Sequence, residues 1–176
     1  MPFPTTPVQI SWITLGTVNL PATLIAFKLL KPAPMKYFRR DVLDYVLISG
    51  TIGAVNLAIL YSIVYFASGR DFLAARSAVT MFIGLYGTLI YLNVHGVELL
   101  RPFSILRHWR ITLFGVVVAF ITMIVPFLFA DFFVFIPPPG EIWVLIIIVF
   151  LLTAATLFVF TQNRHVINQL WELVKK

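Results

Sequence analysis

The chain has 176 residues, of which 60% are hydrophobic and 11% charged, with no cysteine and a formal net charge of +6. So few charges exclude a soluble globular domain, in which about a quarter of residues are charged. The lack of cysteine excludes disulfides and thiolate metal sites. What remains is an all-α fold, a polytopic bundle of transmembrane helices.

Five apolar stretches, residues 8–27, 42–66, 77–94, 111–130 and 142–160, contain no Glu, Lys or Arg and a single Asp, Asp44 near the start of the second. Each reaches or nearly reaches the ~20 residues that a helix needs to cross ~30 Å of hydrocarbon. They define a five-span domain, 1–161, followed by a tail, 162–176. Met1–Pro7 carries no positive charge ahead of the first stretch, so it does not form a signal peptide. It is a short uncharged segment that translocates, or an outer loop leading in from a preceding helix.

The first span is the polar one. It holds Gln9, Ser11, Thr14, Thr17, Asn19 and Thr23, with Gly16 and Pro21 among them, a load that must face protein or water rather than lipid. Pro21 has no N–H to give the carbonyl of Thr17, which is left free. Thr14, Thr17 and Pro21 share one helical face by their spacing. Two readings fit: a broken helix whose hydroxyls and free carbonyl line an ion path, or a proline-kinked helix whose hydroxyls bond its own backbone.

The second span carries Gly50, Ala54 and Ala58 at four-residue spacing, and the third carries Thr80, Gly84 and Thr88. Both patterns predict close helix packing. Asn56 is expected to bond between helices, as are Asn93 and His95 at the end of the third span. In the fourth span Pro126 is expected to kink the helix. Pro137, Pro138, Pro139 and Gly140 make a stiff turn before the fifth span, whose near-uniform apolarity suits a lipid-facing position. In the tail, Val166, Leu170, Leu173 and Val174 share a face beside Ile167 and Trp171, the pattern of an interfacial anchor.

The positive charges are sided. Lys28, Lys31, Lys36, Arg39, Arg40, Arg101, Arg107, Arg110, Arg164, Lys175 and Lys176 fall at one set of span ends, and only Arg70 and Arg76 at the other. Short basic loops stay in the cytoplasm, so the N-terminus is predicted outside and the C-terminus cytoplasmic, in the cell membrane. No basic run is interleaved with stacking aromatics, which excludes nucleic acid as a partner. His95, His108 and His165 are too scattered to form a metal site, and Asp131 and Glu141 read as solvated acids.

From Pro4 to Thr23 the sequence PTTPVQISWITLGTVNLPAT resembles the sixth membrane helix of P-type cation-transporting ATPases, whose pattern there runs P-x-Q-L-L-W-x-N-L-x-T-D-x-L-P-A. Pro7, Gln9, Trp12, Leu15, Thr17, Leu20, Pro21 and Ala22 keep that pattern. Ala75-Arg76-Ser77 is similar to the A-R-T that often opens the eighth helix. The resemblance implies helices six to ten of such a pump, closest to bacterial members. It also implies an ion path at Thr14, Thr17, Asn19 and Pro21, and a transported cation. As partners it implies the lipid bilayer and the pump's remaining helices and cytoplasmic domains, and it implies ATP and Mg as cofactors of the full-length parent.

The chain itself has neither D-K-T-G-T nor a Gly-rich phosphate loop, so it is not expected to hydrolyse ATP alone. In calcium pumps of the family the positions of Thr14, Thr17 and Val18 are Asn, Thr and Asp. Only Thr17 is retained, and calcium favours carboxylates among its 6–8 oxygen ligands. No metal is therefore assigned. The alternative is an independent small polytopic membrane protein with a scaffolding or assembly role.

Overall fold

A computed structural model describes residues 5–15, 38–97, 99 and 102–162. Among them the regular structure is helical: α1 (Pro7–Thr14), α2 (Phe38–Ala67), α3 (Phe72–Val94), α4 (Pro102–Arg107), α5 (Trp109–Leu128), α6 (Ala130–Phe133) and α7 (Gly140–Gln162). Four of these, α2 from Tyr45, α3, α5 and α7, are long and apolar enough to cross a membrane. They match the second to fifth predicted spans. Of the first, only its opening turns in α1 are described. Residues 16–27 and the tail from 163 lie outside the described residues.

The third span starts earlier than its apolar run. Asp71 caps α3 by accepting from the N–H of Leu73 at 2.8 Å and of Ala74 at 3.3 Å, so Ala75-Arg76-Ser77 forms the second turn rather than the head. Arg76 is tolerated inside the helix because its guanidinium reaches back over the ring of Phe72, 5.2 Å from its centroid. Replacing Asp71 with Ala should lower stability by about 1 kcal/mol, read as a modest fall in the thermal midpoint of the detergent-solubilised chain.

Two helices stop by the same device. Gly69 and Gly96 take positive φ. The next amide in each case bonds five residues back, Arg70 to Tyr65 at 2.8 Å and Val97 to Leu92 at 2.9 Å, which satisfies carbonyls that the helix end would otherwise orphan. Val97 and Leu92 also pack together in one cluster.

The least apolar of the four long helices is the most buried. Within α3, 61% of the apolar window is enclosed, against 28% in α2, 22% in α5 and 28% in α7, so α3 is the axis of the bundle. It packs against α1, α2, α5 and α7. Small residues Ala74, Ala75, Ser77, Ala78 and Gly84 let neighbours approach it. The principal core joins Leu60 and Val64 of α2, Val79 and Phe82 of α3, and Ile146 and Val149 of α7.

The small-residue seam expected on α2 lies on the wrong side. Gly50, Ala54 and Ala58 are exposed, whereas Gly53, Asn56 and Leu60 face inward. The contact partner is Tyr86 of α3, whose ring occupies the space a Cβ on Gly53 would need. The seam on α3 is placed as expected: Gly84 is buried and a Cβ there would lie 3.4 Å from Thr122 of α5. Alternation of small residues marks a contact face only where a neighbour happens to lie.

Short turns alternate between two ends of the bundle. One end gathers residues 68–71, α6 and the 134–139 strap; the other gathers the start of α2, residues 95–97 and 102–108, and Gln162. The strap is tied down where the amide of Ile136 donates to Ser77 Oγ at 2.9 Å. Phe133 and Phe135 are buried beneath it.

Candidate functional site

The helix that carries Thr14 is docked by two long-range hydrogen bonds. Thr6 and Gln9 form a reciprocal capping box: the Thr6 amide donates to Gln9 Oε1 at 2.9 Å and the Gln9 amide to Thr6 Oγ1 at 3.3 Å. The fully buried Gln9 side chain then uses its Nε2 to reach the carbonyl of Phe133 at 3.0 Å. One turn further, Trp12 Nε1 donates to the carbonyl of Thr122 at 3.1 Å. The Trp12 ring meets Phe133 edge to face at 5.8 Å.

The Thr122 carbonyl is available for a definite reason. Its helical partner would be the amide of residue 126, and residue 126 is proline. A proline in a helix leaves the carbonyl four residues back without a donor. Pro126 was expected to kink its helix. In the structure α5 runs continuously through it, and the freed oxygen receives the indole of Trp12. Sequence reasoning applied this logic to Pro21 and Thr17 but not to Pro126 and Thr122. The signal was present in the same form.

Of the four site residues, Thr14 is described. It is exposed, with Ser11 one turn before it, on the side of α1 facing away from the bundle. With a rise of ~1.5 Å per residue, Thr14 lies about 10 Å along the axis from the start of α1. Ser11 Oγ donates to the carbonyl of Pro7 at 2.9 Å. Thr17, Asn19 and Pro21 lie outside the described residues. The face shared by Thr14, Thr17 and Pro21 is therefore seen at its first member only.

Several other polar groups in the spans turn back on their own helices. Asn56 donates to Ile52 at 3.0 Å rather than across to a neighbour. Thr80, Thr88, Thr153 and Thr156 each bond the carbonyl four residues earlier. His95 Nδ1 is likewise 2.9 Å from the carbonyl of Tyr91, not from another helix. Each such hydroxyl spends its proton on its own backbone and keeps its oxygen lone pairs. Among the described residues no group of three His, Asp or Glu side chains is placed to hold a metal ion. Asp131 and Glu141 are exposed at the α1 end of the bundle.

No family model, curated protein or solved structure matches the chain.

Proposed function

We propose that the chain is the C-terminal transmembrane portion of an ATP-driven P-type cation transporter, contributing one ion-path helix and the supporting helices. The observation that carries this reading is the exposure of Ser11 and Thr14 on the outward side of α1, the helix whose sequence keeps the Pro7, Gln9, Trp12, Thr17 and Pro21 pattern. That side presents Ser11 and Thr14 beside Val8, Ile10 and Leu15, a mixed surface turned away from its own bundle that further helices could cover. In this reading the bundle lies in the cell membrane with the α1 end outside. The eleven sided cations then lie in the cytoplasm.

The scaffolding alternative has one observation in its favour. Gln9 and Trp12 find their acceptors within this chain, so docking of α1 needs no other subunit. The two readings separate at the DNA: a pump requires an in-frame or frameshifted D-K-T-G-T aspartate motif several hundred codons upstream, on the order of a few domains. A promoter and an intergenic gap in that position would refute the pump.

In the parent pump, Thr17→Val and Thr14→Val should each lower ion-stimulated ATPase activity by roughly ten-fold, equivalent to ~1.4 kcal/mol of ion binding. Asn56→Leu should leave that activity nearly unchanged. Thr14→Val should also leave the melting temperature in place, because its side chain is exposed. Equal activity in the Thr17 and Asn56 variants would remove the site assignment.

A further inference from the structure

At the end of the bundle opposite α1, the passage from α4 through His108 into α5 exposes apolar and basic side chains together. Phe103, Leu106 and Trp109 follow one another at three-residue spacing and are 88%, 72% and 58% exposed. Phe103 is the most exposed large apolar side chain among the described residues. With them stand Arg107 and Arg110, also exposed and three residues apart. The Arg110 guanidinium lies over the Trp109 ring, 5.6 Å from its centroid.

The segment is fixed from behind. Ser104 Oγ donates to the carbonyl of Gly96 at 3.1 Å, and Ile105 packs with Ile111 and Phe114 against the cluster of Tyr91, Leu92 and Val97. The outward side chains are thus held on a built surface rather than on a free loop.

Charge in this region is unbalanced. Between His95 and Arg110 the only acidic residue in the sequence is Glu98, against Arg101, Arg107 and Arg110, and the start of α2 at the same end adds Asp41 and Asp44 beside Arg39 and Arg40. Two exposed guanidinium groups that flank the α4–α5 junction, three residues apart in sequence, suit a phosphodiester, since a guanidinium binds phosphate oxygens bidentately. Below them Trp109, Leu113, Val116 and Phe120 continue as one exposed stripe along α5, about 16 Å long at ~1.5 Å per residue. That is close to half of a ~30 Å hydrocarbon layer. A free phosphate would use the guanidiniums and leave the stripe unused. One molecule that uses both is a lipid with an anionic headgroup and acyl chains.

We infer that this corner is a binding site for an anionic phospholipid, with its phosphate on Arg107 and Arg110, its glycerol region against Trp109, and an acyl chain along α5. Phe103 and Leu106 seat the short helix in the interface beside it. The inference requires only that the bundle sits in a bilayer, and stands whether or not the chain belongs to a pump.

The test is native mass spectrometry of the full chain in neutral detergent, offered an equal mixture of phosphatidylglycerol and phosphatidylcholine with identical acyl chains. Phosphatidylglycerol should be retained about five-fold or more over phosphatidylcholine. Arg107→Gln/Arg110→Gln should bring that ratio to about one, while Arg70→Gln at the opposite end should not change it. A ratio near one in the unsubstituted chain overturns the site without need of any variant. Displacement of the lipid by excess glycerol phosphate also overturns it, by assigning the contact to the phosphate alone.

Discussion

A Gly53→Val variant is expected to lose stability by about 1–3 kcal/mol, seen as a lowered thermal midpoint in detergent. Gly50→Val, one turn away, should stay within about 0.5 kcal/mol of the original chain. The difference comes from Tyr86. A Cβ at position 53 would come within 2.8 Å of Tyr86 Cζ, while one at position 50 meets nothing within 4 Å. The ring cannot swing aside cheaply, because its hydroxyl donates to the carbonyl of Ser49 and its face stacks on Phe82 at 6.0 Å. Between membrane helices there is little hydrophobic driving force to offset such a clash, since lipid tails are as apolar as the side chains they replace. Equal melting of the two variants would contradict the placement of α2 against α3.

Gln9→Leu is expected to release α1. The substitution removes the acceptor for the Thr6 amide and the donor to the Phe133 carbonyl, and a buried carbonyl deprived of its donor costs about 1–3 kcal/mol. The natural absence of cysteine gives a clean readout. Ile13 is only 5% exposed, so Ile13→Cys alone should react slowly with a maleimide. The same cysteine in the Gln9→Leu background should react roughly ten-fold faster or more, as ~1.4 kcal/mol of docking energy is lost. An unchanged rate would mean that the Gln9 bond does not secure the helix.

These two variants also mark what could be read from the sequence. Four membrane-crossing helices and the absence of strand among the described residues followed from run length, because a bilayer permits few alternatives. Which face of each helix turns inward did not follow. In a soluble protein the inner face is apolar and the outer polar, but here Ile59 and Ile63 of α2 are exposed while Leu60 and Val64 are fully buried. Lipid and core select the same side chains, so hydropathy is silent and Gly50 could not be told from Gly53. The start of α3 was misplaced because counting charges stopped the span at Arg76, whereas its cap, Asp71, lies a full turn earlier.

Within the candidate site, the polarity of the first span was legible, and so were Gln9 and Trp12 as members of a pattern. Their acceptors were not. The Phe133 and Thr122 carbonyls are backbone groups with no side-chain signature, 124 and 110 residues along the chain from their donors. Only Pro126 betrayed one of them.

That separation has a consequence for biogenesis. A translating ribosome emits Gln9 and Trp12 long before residues 122 and 133 exist, at ~5–20 residues per second. During those seconds the indole and amide donors of α1 are unsecured by their final acceptors. The fastening of α1 thus waits on the α5–α6 corner. Chains truncated before Phe133 would insert their spans yet leave α1 unlatched.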